Sequence, residues 1–416
     1  ANISALMIRS DTTANDVHAM LEKTRAFGEP GFLFADDSEV IVNPCAEIGL
    51  FPVDTSRHSD VVVVGFECCN LTEINVQRTT TPTEFLEACE AAAFIGTLQA
   101  TYTNMPFLGT ATTNIMNRSR LLGVSLTGIM QNPIIGLDPE MLRAGAACVK
   151  AVNDRYAPMM GINPAARLTS VKPSGTASVV MGIGGSGIHP VHAKRYLRRV
   201  QCSDSDVILC EYVKSRPRSV EKSVWANDTS VVSFPVELDG GDEMRTKQNM
   251  SALELLEAAK LVQQNWVLPG HIQERQPSGF KGTNNVSLTV NVADDSWHAV
   301  GTYIHDNRAL FTGISLLGEH GELDYDQAPM VRVFTIDELV SAFGAGAVFA
   351  SGLIVDLKKA FSGSLFKACQ AVTFGVAAGV DASHESVEAV NEQTSGVRRI
   401  VKFGDKFFEG DTQKAV

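Results

Sequence analysis

The chain has 416 residues, of which 44% are hydrophobic and 20% are charged, an ordinary composition for a globular protein with a sizeable core. Its 35 lysines and arginines are outnumbered by 47 aspartates and glutamates, which gives a formal net charge of −12. That balance argues against a nucleic-acid-binding surface, which needs a basic face, although backbone amides can still hold a small nucleotide.

The cysteines and the apolar segments indicate the compartment. Eight cysteines at uneven spacing form neither a secreted disulfide framework nor paired C-x-x-C zinc ligands, so we expect a reducing, cytoplasmic setting. The longest apolar run, 340–355, is interrupted by serine and glycine, and no signal segment opens the chain, so we expect no membrane association. The chain starts at Ala1 without a methionine and stops within a continuing pattern, so we expect it to be part of something longer.

The apolar spacing and the terminal signals predict several helices. Proline in a first turn and capping boxes mark their starts, because a missing N–H is harmless there and a capping side chain satisfies free amides. The predicted helices are 13–24, 82–100, one opening at Asp138-Pro139, and one after the capping box Ser251–Glu254.

Strands are predicted between these helices. The four valines within 60–67 are apolar on both faces, which predicts a buried strand ending in Cys68-Cys69. Residues 286–292 alternate apolar and polar side chains, as a half-buried strand does. The alternation of helices and strands predicts an α/β fold. Without repeats or linkers, we expect one domain over 1–416, with a helical C-terminal region at 336–416.

The stretch Val42–Leu50, V-N-P-C-A-E-I-G-L, places a single thiol, Cys45, between the amide of Asn43 and the carboxylate of Glu47. Pro44 fixes its own φ and pushes the preceding residue toward extended conformations, so the thiol lies at the tip of a defined turn. Such a thiol can do chemistry, but most buried cysteines are small hydrophobic residues, and the turn alone does not decide between the two.

A polar turn follows the apolar segment 168–171. It continues as Ser174, Gly175, Thr176, Ala177 and Ser178 before a segment that can start a helix. A strand, a polar turn and a helix start together form an anion site, because unpaired amides and hydroxyls point beyond the turn. The turn lacks the G-K-[ST] of a Walker loop. A surface turn with a capping serine or threonine explains the same residues equally well.

Glycines and histidines follow the polar turn. The glycines at 182, 184, 185 and 187 mark a backbone that must bend or allow close approach. His189 and His192 flank a proline, but no third ligand is placed near them, so no metal site is predicted.

Three motifs, in this order, resemble the catalytic barrel of ribonucleotide reductases: N-P-C-A-E, C-N-L-T-E-I-N, and K-P-S-G-T-A-S followed by G-S-G-I-H-P-V-H-A-K-R-Y-L-R-R. The closest likeness is to the adenosylcobalamin-dependent (class II) enzymes, in particular the monomeric ribonucleoside-triphosphate type also found in phages. The likeness runs from about Gly28 to about Phe334. It implies a ten-stranded α/β barrel, of which this chain supplies mainly the second half with the finger loop.

The resemblance assigns roles to the motif residues. In this family a transient thiyl radical on the cysteine of the N-P-C turn, here Cys45, removes the 3′-hydrogen of the ribose. Glu47 is then the general base on the 3′-hydroxyl, and Asn43 orients the sugar hydroxyls. The electrons come from a cysteine pair that closes to a disulfide; we assign Cys69 to it, with Cys68 as the second choice.

The resemblance also implies ligands and partners. The substrate phosphates fall on the turn Ser174–Ser178, the cofactor is adenosylcobalamin, and a thioredoxin-like dithiol is the external reductant. A ribonucleotide is the substrate. Because a radical must be kept from water and oxygen, the family encloses this turn inside the complete barrel.

The chain departs from the family pattern in its cysteines. The family's other redox cysteine lies on the first barrel strand, whereas none of the 44 residues before Cys45 is a cysteine. A closely spaced C-terminal cysteine pair is missing as well. We therefore expect an upstream half-barrel, either as a separate polypeptide or as a missing N-terminal portion.

Other members of the family remain as alternatives. A class I enzyme relays its radical through adjacent tyrosines, and no two of the six tyrosines here are adjacent, which favours adenosylcobalamin. Glu47 and the lack of a glycyl-radical motif argue against class III. The chain is alternatively a non-catalytic nucleotide-binding or assembly subunit, or a class I-type catalytic subunit served by a separate radical-generating subunit.

Overall fold

The computed structural model describes residues 3–38, 40–56, 62–215, 220–238, 240–319 and 327–332. Within those ranges, one compact unit contains 3–178, 185–191 and 240–319, and a second contains 179–184, 192–238 and 327–332. The single domain expected over 1–416 stays a prediction. The helical region expected at 336–416 lies outside the described residues.

Helices and strands alternate along much of the chain, as the sequence predicts. The strands are β1 (Ser4–Ile8), β2 (Gly31–Ala35), β3 (Ile41–Val42), β4 (Gly49–Leu50), β5 (Asn70–Asn75), β6 (Leu122–Thr127), β7 (Thr169–Ser170), β8 (Arg195–Ser203), β9 (Val220–Lys222), β10 (Thr229–Glu237), β11 (Leu288–Val292), β12 (Gly313–Gly318) and β13 (Met330–Arg332). The helices are α1 (Ala14–Phe27), α2 (Pro82–Gln99), α3 (Gly109–Ser119), α4 (Pro133–Gly136), α5 (Pro139–Met159), α6 (Gly175–Val180), α7 (Val207–Ser215), α8 (Ala252–Val262) and α9 (Trp297–Asp306).

A run of seven strands forms the centre of the first unit. Strands β5, β6 and β7 pair in parallel, and a parallel bridge between Val171 and Val286 connects them to β11, which pairs in parallel with β12. Strand β2 then pairs antiparallel with β12, and β1 pairs in parallel with β2. Five strands of one direction thus adjoin two of the other. In the described residues β1 and β5 are the edges of this run.

The start signals in the sequence place four helices correctly. Thr13, Thr81 and Ser251 each form a capping box at the start of α1, α2 and α8. Asp138 caps α5 by accepting hydrogen bonds from the first free amides. Helix α1 runs three residues beyond its predicted end, because Gly28, at φ +74°, provides the left-handed cap.

The buried strand predicted over 60–67 is wrong. Residues 60 and 61 lie outside the described residues, Val62 and Val64 are exposed, and Val64 makes only an isolated bridge to Val53. The strand lies at Asn70–Asn75 instead, so the two cysteines precede a strand and do not end one. A short apolar run gives no direct information on burial.

The core of the first unit lies between the sheet and helices α2, α5 and α8. Trp266 is fully buried, its ring centroid lies 6.2 Å from that of Phe85, and its Nε1 donates to the carbonyl of Ser170 at 3.0 Å. Gly145 leaves no space there, since a Cβ at this position would lie 2.6 Å from the Phe85 ring. This packing holds β7, the strand that leads to the polar turn.

In the second unit β8 lies between β13 and β10, and β9 pairs with the other side of β10, all antiparallel. None of these strands was predicted from the sequence. Among the described residues of both units, no helix is long and apolar enough to cross a membrane.

Replacing Phe85 with Ala should lower the free energy of unfolding by about 3–5 kcal/mol, because the change opens a cavity against Trp266. Urea unfolding followed by tryptophan fluorescence measures this loss. Phe107→Ala is the matched control, since its side chain is 99% exposed, and it should change stability by no more than about 0.5 kcal/mol. Similar losses in the two variants would contradict this account of the core.

Candidate active site

The finger loop folds as a short hairpin of β3 and β4, which we call the finger hairpin (Ile41–Leu50), with Cys45 exposed at its tip. Three hydrogen bonds close the turn: Ala46 N donates to the Asn43 carbonyl at 2.8 Å, Ile48 N donates to Asn43 Oδ1 at 3.0 Å, and Asn43 N donates to the Ile48 carbonyl at 3.2 Å. Ala46 has φ +59°, a left-handed conformation that is unfavourable for a residue with a Cβ. The contacts around the turn must therefore stabilise it.

Two buried asparagines, Asn284 and Asn285, fix the finger hairpin to the sheet. Asn285 N donates to the Glu47 carbonyl at 2.9 Å, and Asn284 Oδ1 accepts from Gly49 N at 3.3 Å. Asn284 Nδ2 donates to the carbonyl of Thr169, on β7, at 3.0 Å. Buried amide groups that are hydrogen bonded hold a defined geometry, so the hairpin and β7 share one support.

Cys45 is held from two further sides. Ser287 Oγ donates to the Cys45 carbonyl at 2.5 Å, and Ser287 N donates to the carbonyl of Val171 at 2.9 Å. Gly313, at the start of β12, lies against the turn, because a Cβ there would be 2.5 Å from the Cβ of Ala46. The reactive turn is thus packed directly on the strands.

Charged side chains surround the Cys45 thiol. Burial raises the pKa of Cys45, Glu47 raises it further, and Lys172 lowers it. The Glu47 side chain is buried, and its Oε2 makes no hydrogen bond among the described residues. Lys172 Nζ donates to Glu73 Oε2, on β5, at 3.0 Å. The thiol therefore stays protonated at neutral pH.

Cys45 itself is exposed, whereas Glu47 and Ile48 of the same turn are buried. The strands behind the finger hairpin are present, but the described residues leave the thiol uncovered. Whether the Cys45 thiol is covered depends on segments of the protein other than the N-P-C motif.

Cys69 packs against the finger hairpin. It belongs to a small apolar cluster with Ile48 and Leu121, and a Cβ at Gly123 would lie 3.1 Å from its sulfur and 3.0 Å from Ile48 Cδ1. Burial raises the pKa of Cys69 well above its usual value, Glu47 raises it further, and Arg167 opposes them. Glu47 thus raises the pKa of both Cys45 and Cys69, so the structure brings the three predicted residues together.

Cys68 has a different environment. Burial and then Glu67 raise the pKa of Cys68, and Glu47 does not contribute. Of the adjacent pair, Cys69 is the residue that contacts the finger hairpin. The seven cysteines in the described ranges are all free.

The polar turn has a strained entry and open amides. Ser174 is buried at φ +55°, and its Oγ makes no hydrogen bond among the described residues. Gly175 and Thr176 are exposed at the start of α6, where the first amides, including that of Ala177, have no intrahelical acceptor. Ser178 Oγ instead donates within the helix, to the carbonyls of Ser174 and Gly175, so its hydroxyl is already used.

The glycine-rich segment packs against the start of the polar turn. Gly187 has φ +57°, and a Cβ there would lie 2.5 Å from the Lys172 carbonyl, which confirms the predicted close approach. His189 Nδ1 contacts the Ser186 carbonyl at 2.8 Å, and its Nε2 accepts from Thr289 N at 2.9 Å. Burial lowers the pKa of His189, so it is neutral with both ring nitrogens occupied. The described residues contain no His, Cys, Asp and Glu cluster that suits a metal.

Several residues of the site were not predicted. The supporting segment 284–287 is one group, and a buried ion cluster beside Cys69 is another: Glu67 lies 3.6 Å from Arg118 Nη2 and 3.7 Å from Arg167 Nη2. A glutamate directly before the two cysteines was the available signal for the cluster. The asparagine pair before β11 gave no signal that separates it from an ordinary turn.

Comparisons with known proteins bear on the fold and on the family resemblance. No family model matches the sequence. Curated adenosylcobalamin-dependent ribonucleoside-triphosphate reductases are similar: that of Euglena gracilis is 26% identical over 264 residues (59% of this chain, 34% of that protein), and that of Levilactobacillus brevis is 29% identical over 185 residues (44% and 22%). The protein of Lactobacillus leichmannii is 24% identical over 318 residues (69% and 38%). The chain spans less than half the length of these relatives.

A crystal structure of a B12-dependent (class II) ribonucleotide reductase matches with a TM-score of 0.62 at 20% identity, covering 82% of this chain and 49% of that one. The fold is therefore that of part of a ribonucleotide reductase catalytic subunit. Within that class, the curated relatives confirm the resemblance to the adenosylcobalamin-dependent ribonucleoside-triphosphate type.

Replacing Gly313 with Ala should displace the finger hairpin, because the new Cβ would lie 2.5 Å from that of Ala46. We expect a loss of about 1–3 kcal/mol in the free energy of unfolding and faster hydrogen exchange at the amides of Ile48 and Gly49. Adding Ala46→Gly removes both the clash and the left-handed strain, so the double variant should recover most of the loss. Equal losses in the single and double variants would rule out this contact.

The pH profile of Cys45 alkylation should depend on its charged neighbours. Because Glu47 raises the pKa of Cys45 and Lys172 lowers it, Glu47→Gln should move the midpoint to lower pH and Lys172→Met to higher pH. Peptide-resolved mass spectrometry after iodoacetamide treatment measures each rate. The exposed Cys210, on α7, serves as the internal control and should react alike in all variants. Unchanged Cys45 midpoints would contradict the described environment.

Proposed function

We propose that this chain supplies the second half of the catalytic barrel of a ribonucleotide reductase, which reduces the 2′-carbon of a ribonucleoside di- or triphosphate by thiyl-radical chemistry. The observation that carries the proposal is the shared environment of three residues. Glu47 raises the pKa of the thiols of both Cys45 and Cys69, and the adjacent Ile48 packs against Cys69.

Cys45, Glu47 and Cys69 have separate roles in the proposed reaction. Once Cys45 carries the radical, it takes the hydrogen atom from the 3′-carbon and becomes a thiol. The buried Glu47 carboxylate accepts the proton of the 3′-hydroxyl, and the 2′-hydroxyl leaves as water after taking a proton from a thiol. Cys69 and a second cysteine give two electrons and close to a disulfide. Cys45 then returns its hydrogen atom to the 3′-carbon, which regenerates the radical.

Asn43 and the polar turn position the substrate. Asn43 Oδ1 is used by Ile48 N, so the Nδ2 donors are the part of the side chain left for a sugar hydroxyl. The unused Ser174 hydroxyl and the amides of Gly175, Thr176 and Ala177 suit the phosphates. Ser178 acts by holding the turn, since its hydroxyl bonds the helix start.

Adenosylcobalamin, which the names of the relatives specify, supplies the radical for Cys45 when bound. An exposed thiol on a rigid turn fits the acceptor of that radical. The likeness assigns none of the described residues to the cofactor itself. The part of this chain is to hold the Cys45 sulfur in place and keep it protonated beside Glu47.

The remainder of the site belongs to partners. The exposed Cys45 and the partial coverage of the relatives support an upstream half-barrel that contributes the second redox cysteine, as a separate polypeptide or as an N-terminal portion. A thioredoxin-like dithiol returns the disulfide to two thiols. The reducing cytoplasm is the compartment in which such an exchange operates.

One variant separates this proposal from a non-catalytic nucleotide-binding or assembly subunit. In the enzyme assembled with its upstream portion, adenosylcobalamin and a dithiol, Cys45→Ser should abolish formation of deoxyribonucleotide and leave the nucleotide Kd unchanged. Deoxyribonucleotide is measured by chromatography and the Kd by equilibrium dialysis.

Cys210→Ser is the matched control and should keep full activity, because Cys210 lies on α7 and is not one of the proposed site residues. Reduction by the Cys45→Ser variant at the parent rate would overturn the proposal. Nucleotide binding without reduction by the unmodified assembly would favour the non-catalytic subunit.

A further inference from the structure

The His189 ring connects residues 185–191 of the glycine-rich segment to strand β11. Its Nε2 accepts a hydrogen bond from Thr289 N at 2.9 Å, and its Nδ1 lies 2.8 Å from the carbonyl oxygen of Ser186. A backbone N–H can only donate, so Nε2 carries the lone pair and Nδ1 carries the ring hydrogen. The ring is therefore held in one tautomer by a local bond on one side and a bond across 100 residues on the other.

The bond to Thr289 takes the place of a missing strand contact. Ser287 N, just before β11, donates to the carbonyl of Val171 at 2.9 Å in a parallel bridge. In a parallel ladder the next pair of bonds would join residue 173 to Ser287 and Thr289, but Pro173 has no N–H to continue the ladder. The His189 ring supplies the acceptor for the Thr289 amide in place of the strand.

The two segments joined by His189 support different parts of the candidate site. Ser287 Oγ donates to the Cys45 carbonyl at 2.5 Å. In the other segment Gly187 packs closely against the start of the polar turn, because a Cβ there would lie 2.5 Å from the Lys172 carbonyl. The ring thus lies between the support of the thiol and the support of the turn proposed for the phosphates.

The glycine-rich segment is fixed on two sides. Gly187 N donates to Thr127 Oγ1 at 2.9 Å, and the Gly187 carbonyl accepts from Ile129 N at 3.3 Å. These bonds fix the segment to the end of β6, and the His189 ring fixes it to β11. The second connection is the one that leads to Cys45.

We propose that His189 is a positioning residue for the proposed reaction: by joining the glycine-rich segment to β11, it sets the distance between the polar turn and Cys45. This role rests on the proposed function, in which one nucleotide has its phosphates on the polar turn and its ribose at Cys45. A misplacement of about 1 Å between reacting groups costs on the order of a hundredfold in rate. The histidine of G-I-H-P-V thus acts through the two supports and touches no reacting atom.

Two amide substitutions separate the two bonds of the ring. A glutamine amide reaches the position of Nε2, so His189→Gln can still accept from Thr289 N, whereas an asparagine amide reaches only the position of Nδ1. His189→Asn therefore keeps the contact with Ser186 and loses the one with Thr289. His305→Asn, whose ring contacts Asp306 at the end of α9, controls for the substitution itself. Thermal unfolding verifies that each variant is folded.

The first measurement uses the enzyme assembled with its upstream portion, adenosylcobalamin and a dithiol. His189→Asn should lower kcat for deoxyribonucleotide formation by roughly ten- to a hundredfold, and His189→Gln should keep most of the parent rate. The Kd for inorganic tripolyphosphate, which needs the polar turn alone, should stay at the parent value in both variants. The rate of Cys45 alkylation should stay unchanged as well, because each part of the site remains intact and only their relative placement changes.

Hydrogen exchange at the Thr289 amide tests the connection without substrate, cofactor or upstream portion. Exchange should be about tenfold faster in His189→Asn than in the parent or in His189→Gln, because only the asparagine leaves that amide without its acceptor. The His305→Asn control should exchange at the parent rate.

Parent-level kcat in the His189→Asn form of an active assembly would overturn the inference, as would equal exchange at Thr289 in the asparagine and glutamine variants. A weaker tripolyphosphate Kd in His189→Asn would also overturn it, because the damage would then lie in the polar turn itself. An inactive parent assembly would contradict the proposed reductase function, and exchange at Thr289 would still decide whether His189 joins the two segments.

Discussion

The candidate site depends on the buried hydrogen bonds that Asn284 and Asn285 make to the finger hairpin. An isolated two-stranded hairpin is marginally stable at best in water, and this one has only two residues in each strand. Its turn also contains Ala46 in a left-handed conformation. The position of Cys45 is therefore defined by the sheet through these amides, and Glu47 is placed by the same contact.

The charges near the two sulfurs suit radical chemistry better than nucleophilic attack. Nucleophilic cysteines lie in electropositive surroundings that favour the thiolate. Here burial and the Glu47 carboxylate raise the pKa of both Cys45 and Cys69, so each sulfur keeps its hydrogen at neutral pH. A thiol that exchanges hydrogen atoms needs that hydrogen. Lys172 lowers the pKa of Cys45 and Arg167 lowers that of Cys69, without reversing the effect.

Features decided by neighbouring residues could be predicted from the sequence, whereas contacts between distant segments could not. Capping at Thr13, Asp138 and Ser251 is decided within three or four residues, so the helix starts could be predicted from the sequence. The Asn284 and Ser287 contacts join segments more than 230 residues apart, and no periodicity in the sequence reports such pairs.

One error shows the same limit. The valine run at 60–67 was expected to be buried, but burial is decided by packing partners that a local pattern does not contain. The roles of Cys45, Glu47 and Cys69 followed from the family resemblance. The physical pattern alone supplied only a rigid thiol next to an acid.

The packing of the Cys45 turn on Ser287 and β12 has a consequence for biosynthesis. Ser287 lies 242 residues after Cys45, and the strand that supports Ala46 begins later still. At roughly 5–20 residues per second, a ribosome needs on the order of 10–50 s to make the intervening chain. Throughout that interval the nascent turn has no platform, and its cysteine behaves as an ordinary flexible thiol. The order of synthesis thus delays the placement of Cys45 until nearly all of the surrounding unit has been made.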